Sequence, residues 1–349
     1  MIAKIVHVLT GFDIEYKPAL IILCCIIGIY AGISSFEFYN EHEDCENFGN
    51  TGLKIGYCGD FVNRQNLLHR FEWTLDDLLD NTRHPFAVAL VKLSGDLTGD
   101  YRTFSFISSG LILALTYFIS RKITGVNYIG LLSVGIVVTS SIFYTYDVIM
   151  TYPNFWVTAL LGSIYLGLRN SSSSSALFLL SIPFKAITIL YIPAMFFFFK
   201  FSNMEKRIKY AIYVSCLAVA VLFVLAFFFS DNIKGDMGIL IQPEEFLWWL
   251  GMWTVEFKDD RISLILVMLC IMGMYMIRKV PYAKSILFFM LFTLIQPAII
   301  SGFTTFTNED YRMLPLVVFA AIGFGFMLVN SDKLIYEMQR FQSLMVKSK

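Results

Sequence analysis

Apolar stretches about as long as a bilayer is thick recur down this chain, and that recurrence constrains its fold more than any motif does. A hydrocarbon core of about 30 Å takes roughly 20 apolar residues of helix. Windows near that length lie at residues 18–35, 104–120, 126–145, 152–168, 174–185, 187–201, 210–229, 262–277, 283–300 and 313–330. They predict an all-α integral membrane protein with about ten transmembrane helices, residues 1–349 forming a single polytopic membrane domain. Composition agrees, since 57% of residues are hydrophobic and only 15% charged, which excludes a soluble α/β enzyme. Met1 to Tyr16 lacks an apolar core followed by a small-residue cleavage site, so the first window is expected to act as an uncleaved anchor. The fifth and sixth windows are short, and Pro183 and Pro193 interrupt the run near Lys185, as a re-entrant hairpin would.

A formal net charge of zero says little, because what matters in such a chain is how charge divides between the two sides of the membrane. Threading ten spans from a cytoplasmic N-terminus gathers Lys17, Arg121, Lys122, Arg169, Lys200, Lys206, Arg207, Lys209, Arg278, Lys279, Lys284 and Lys333 on one side with few acids. Basic residues in short loops favour the cytoplasm, which places both termini there. The lack of outer Asn-x-Ser/Thr sequons favours a plasma membrane. The acids collect on the extracytoplasmic side, where residues 36–103 form a long first loop carrying short interfacial helices and residues 230–260 a second loop. In the first, Phe71, Leu75, Leu78 and Leu79 share a helical face opposite Asp76, Asp77 and Asp80. Trp73, Trp156, Trp248, Trp249 and Trp253 are expected outside or at the outer interface, where indoles prefer to lie. Residues 331–349 read as an amphipathic tail on the cytoplasmic leaflet, Leu334, Ile335, Met338 and Phe341 recurring among Lys333 and Arg340. Cys45 and Cys58 fall in the outer loop, where a disulfide can form, whereas Cys24, Cys25, Cys216 and Cys270 lie within spans as small packing residues.

The cytoplasmic loops are too short for a nucleotide-binding domain and carry no Walker or dinucleotide fingerprint. An enzyme with its carboxylates outside would need an activated substrate carried across on a lipid. Glu41, Glu43 and Asp44 are the carboxylates nearest the first window, although a solvated acidic loop would show the same residues, and Lys185 and Arg312 lie at span ends on the outer side. Asp147 can position an acceptor or a metal, or else cap a helix or partner Lys185. His84, just before Pro85, can contact substrate or cap a helix start. Glu41-His42-Glu43-Asp44 offers oxygens to a divalent cation such as Mg or Mn, although adjacent ligands lack the spacing of a dedicated site.

Several short motifs keep a common order along the chain. They are Asn40-Glu41-His42-Glu43-Asp44, Arg83-His84-Pro85-Phe86, Tyr146-Asp147 through Tyr152-Pro153, Pro183-Phe184-Lys185, and Asp310-Tyr311-Arg312 followed by Leu314-Pro315. In this order the chain resembles the GT-C superfamily of polyprenyl-phosphate-sugar glycosyltransferases, the group that includes protein mannosyltransferases and aminoarabinose transferases. The Asp-Glu pair often found after the first helix of that group is absent in that form, so the base stays open among Glu41, Glu43 and Asp44. The resemblance implies an inverting transfer of sugar from a polyprenyl-phosphate donor to a glycan, lipid or protein acceptor at the extracytoplasmic face, with no nucleic acid among the partners. It also implies a division of labour that the residue chemistry supports: Glu41, Glu43 and Asp44 as candidate general bases taking a proton from the attacking hydroxyl, and Lys185 and Arg312 at the phosphate leaving group, which needs preorganised cations more than an acid. A polysaccharide polymerase or ligase would use similar lipid-linked glycans, but generally through large Arg-rich late loops. A transporter or lipid flippase would place ionisable residues at mid-bilayer and show internal repeats; no repeat is visible here.

Overall fold

A helix can be apolar on every side only where other helices cover every side, and the last window, free of polar residues from Leu314 to Val329, is such a sequence. The computed structural model describes residues 13–46, 66–74, 85–147, 153–229, 242–251, 257, 260–303 and 310–347, and all regular structure among them is helical. In chain order the helices are α1 (Tyr16–Glu46), α2 (Pro85–Thr98), α3 (Thr103–Thr124), α4 (Asn127–Val138), α5 (Ser141–Thr145), α6 (Phe155–Leu168) and α7 (Ser173–Phe184). Then come α8 (Ile192–Phe201), α9 (Lys206–Phe229), α10 (Pro243–Gly251), α11 (Arg261–Met276), α12 (Ala283–Phe303), α13 (Leu314–Val329) and α14 (Ser331–Lys347). Short 3-10 segments, Ala186–Tyr191 and Asp310–Met313, lead into α8 and α13. The chain is thus a membrane-embedded helical protein. Helices overlie all ten apolar windows, and among the described residues four stretches are long and apolar enough to cross a membrane: Tyr16–Ser35, Thr103–Thr124, Ala283–Gly302 and Tyr311–Val329.

Helix α13 is the central pole, packed against α3, α4, α11 and α12. Leu314 and every residue from Leu316 to Ile322 are wholly buried. Small residues allow close approach, which in a membrane replaces the missing hydrophobic drive between helices. Gly323 faces Cys270 and Ile286, and a Cβ on Gly325 would come within 2.5 Å of the Ile129 Cγ2. One turn before Gly323, on the same flank, Phe319 stacks on Phe289 with ring centroids 3.8 Å apart. Hydroxyls lock the layers further, Ser120 meeting Ser133 at 2.8 Å and Ser133 donating to the Ala321 carbonyl at 3.3 Å. Gly325→Val is therefore expected to destabilise the protein by about 1–3 kcal/mol through overpacking, read as a lower melting temperature in detergent. An unchanged melt would mean that α4 and α13 are not in tight contact.

The structure refines several expectations. The first candidate span is Tyr16–Ser35, and residues 36–46, expected to open the first loop, continue α1 as helix to Glu46. That stretch holds no Pro or Gly and several good helix formers, so losing apolar character does not end the helix. Trp156 is fully buried, its ring 5.6 Å from that of Tyr191, because α6 is enclosed by neighbours; Trp73 and Trp248 are half exposed. Cys216 and Cys270 are buried packing residues, whereas Cys24 and Cys25 face out of the bundle. Pro85 opens α2, as its fixed φ suits a first helical position. The tail is the helix α14, with Met338 and Phe341 exposed.

Contacts between helix ends sort the charges. Arg121 lies 4.1 Å over the Tyr16 ring, Asn127 donates to Asp13, Glu205 N–H donates to Asn170, and Lys284 approaches the Phe201 ring. Those contacts gather the basic helix ends at one pole of the bundle. At the other lie Asp100, Asp147, Lys185, Asp260 and Arg312.

Candidate functional site

Asp147 is only 1% exposed, and burying a carboxyl is costly unless donors meet it. Two do. Tyr30 and Ser34, four residues apart and hence on one face of α1, each donate to Asp147 Oδ2 at 2.8 Å. The backbone beneath is held as well, by Ser109 Oγ donating to the Asp147 carbonyl at 2.6 Å and Asn154 Nδ2 to the Tyr146 carbonyl at 2.8 Å. Side chains from α1 and α3, with Asn154 at the start of α6, therefore preorganise the Tyr146-Asp147 segment. Tyr30→Phe removes a hydrogen bond to a buried carboxyl, and a loss of about 1–3 kcal/mol is expected, measured as a lower melting temperature; no change would show that the contact is not made.

The cations arrive from two other places. Pro183 and the extended backbone at Lys185 (φ −160°, ψ 119°) end α7. With 12 residues that helix is only about 18 Å long, and Lys185 at its end is buried. Its ammonium lies 3.8 Å over the Tyr311 ring, a cation–π contact worth more where water is excluded. Arg312, in the 3-10 segment before α13, lies 5.6 Å from the same ring, and its carbonyl accepts from the Tyr191 hydroxyl at 3.1 Å. Tyr311 in turn packs edge-on against Tyr146, centroids 5.6 Å apart. Lys185 and Arg312 thus converge on one ring beside the residue preceding Asp147.

Other charges at this pole have structural work. Asp260 caps α11 by accepting from Ser263 N–H at 3.0 Å and also accepts from Ser140 Oγ. Asp100 pairs with Arg102 at 3.2 Å. The Lys92 ammonium, 3.1 Å from Asp96, with help from the Trp73 indole, holds the Asp96 carboxyl below the usual range.

Of the residues expected from sequence, Lys185 and Arg312 are brought together at Tyr311, whose ring packs on Tyr146, the residue before Asp147. Glu41, Glu43 and Asp44 occupy the last turns of α1 rather than a loop folding back, and their side chains lie outside the described residues. His84 and the Cys45–Cys58 pairing also fall outside them. Among the described residues no group of three or more His, Cys, Asp or Glu could hold a metal ion. Sequence reasoning missed Tyr30, Ser34 and Tyr191. The available signal was a tyrosine and a serine one turn apart in an otherwise apolar window, a costly placement unless it serves something. The chain is matched by no protein-family model, no curated protein and no solved structure.

Proposed function

We propose that the chain is an inverting glycosyltransferase, moving sugar from a polyprenyl-phosphate donor to a glycan, lipid or protein acceptor at the extracytoplasmic face of a plasma membrane. Its ten apolar helices cross the bilayer with both termini cytoplasmic, α7 and α8 forming a short hairpin. The observation that carries this reading is the meeting of Lys185 and Arg312 at Tyr311, beside Tyr146 and Asp147.

In the reaction an acceptor hydroxyl attacks the anomeric carbon from the side opposite the phosphate, inverting it. The bond from that carbon to the phosphate oxygen breaks, and the electron pair leaves on phosphate. Lys185 and Arg312 meet that charge, which preorganised cations stabilise more strongly than water does. Asp147, fixed by Tyr30 and Ser34, orients the acceptor. The proton goes to a carboxylate on the extension of α1. Glu41, Glu43 and Asp44 are the candidates for that base.

The test is purified protein in detergent with a panel of polyprenyl-phosphate sugars and acceptors, following release of lipid phosphate. Release that requires Lys185 and Arg312 supports the reading. Release that persists unchanged when both are replaced overturns it.

A further inference from the structure

We propose that the basic pole carries a site for the phosphate headgroup of an anionic phospholipid, between the ends of α3 and α6 and independent of the transfer centre. An open pocket of about 350 Å³ there is lined by Phe118, Arg121, Lys122, Gly125, Tyr165 and Arg169. Three of these six are cations and none is an acid. Cations in a last helical turn are commonly explained by the helix dipole, but that accounts for neither the cavity nor its walls. Phe118 and Tyr165 form an aromatic wall with centroids 5.6 Å apart. Gly125, in the left-handed region at φ 77°, turns the chain away and leaves the rim without a side chain.

The guanidiniums are positioned by neutral groups. Arg121 lies 4.1 Å over the Tyr16 ring, and Arg169 donates to the Tyr165 hydroxyl at 3.3 Å. Among the described residues no carboxylate comes within 4.0 Å of Arg121, Lys122 or Arg169. The nearby Asp13 accepts from the backbone and side chain of Asn127. Positive charge held by rings and hydroxyls keeps its strong donors for an outside anion, and guanidinium binds two phosphate oxygens at once.

Ile107, Leu111, Leu115, Phe118 and Lys122 recur at helical spacing on one face of α3, and Ile107 and Leu111 are half exposed. An apolar track running up to a cationic pocket matches an acyl chain below a phosphate, whereas a free phosphate would have no use for the track. Basic pockets between membrane helices are suited to such headgroups.

The experiment is a binding isotherm of the full-length protein in neutral detergent with short-chain phosphatidylglycerol. Parallel arms use short-chain phosphatidylcholine and inorganic phosphate. Saturable binding of phosphatidylglycerol alone is expected, weakened at least tenfold in Lys122→Gln/Arg169→Gln. Lys206→Gln/Arg207→Gln, which removes the same charge at the same pole outside the pocket, should bind within about twofold of wild type. Equal loss in both double variants, or equal binding of phosphatidylcholine, overturns the site, and equal binding of inorganic phosphate overturns the lipid assignment. Arg121 is left in place because it stacks on Tyr16, and both variants should retain the wild-type melting temperature without lipid. Neither carries a residue of the transfer centre, so this result and the turnover assay stand or fall separately.

Discussion

Arg312→Gln is expected to lower lipid-phosphate release by about 100- to 1,000-fold, the usual cost of removing one preorganised donor from a developing negative charge. Lys185→Met should fall in the same range. Such losses belong in kcat, because an interaction that strengthens only as charge develops on the leaving phosphate contributes little to ground-state binding. Arg312→Lys separates charge from geometry: it retains the charge but not the planar fork that holds two oxygens, so partial recovery is expected. Lys185 and Arg312 converge on Tyr311, and Tyr311→Leu should therefore weaken both, with a smaller loss than either cation variant. Each variant is read beside its melting temperature, so that loss of turnover is not mistaken for loss of fold. Wild-type release from Arg312→Gln and from Lys185→Met would remove the phosphate site.

Loss of the base is the second large effect expected: one of Glu41→Gln, Glu43→Gln and Asp44→Asn should lose about 100- to 10,000-fold, as for removal of a general base, while the other two stay within about twofold of wild type. The amide keeps the size and hydrogen-bonding shape of the acid but cannot accept the proton. A base also leaves a mark in pH dependence: kcat/KM of wild type should fall as pH drops through the carboxylate range, when the base is protonated, and the impaired variant should lose that limb. Wild-type turnover in all three variants would remove the base from the end of α1.

Much of the fold was legible in the chain. Apolar windows became helices because a chain in hydrocarbon must satisfy its backbone internally. The breaks near Pro183 and before Pro315 follow from proline's missing N–H and fixed φ. The continuation of α1 past Ser35 was not legible, because hydropathy reports where apolar surface stops, while helix persistence depends on backbone propensity; Phe36 to Glu46 is largely polar and still helical. Nor was the full burial of Trp156, since only an indole's neighbours decide whether it is covered.

For the site, sequence by itself determined the identities of the charged residues and the pole to which they belong. Asp147, Lys185 and Arg312 stood out as charges at the ends of apolar windows. The meeting of the two cations was decided by tertiary structure. The break at the end of α7 leaves Lys185 over the Tyr311 ring, and Asp147 is held by hydroxyls more than a hundred residues earlier in the chain. Composition and spacing describe neighbours along the backbone. Contacts across such separations depend on how α1, α3 and the central α13 pack, and that packing is a property of the whole bundle rather than of any one stretch.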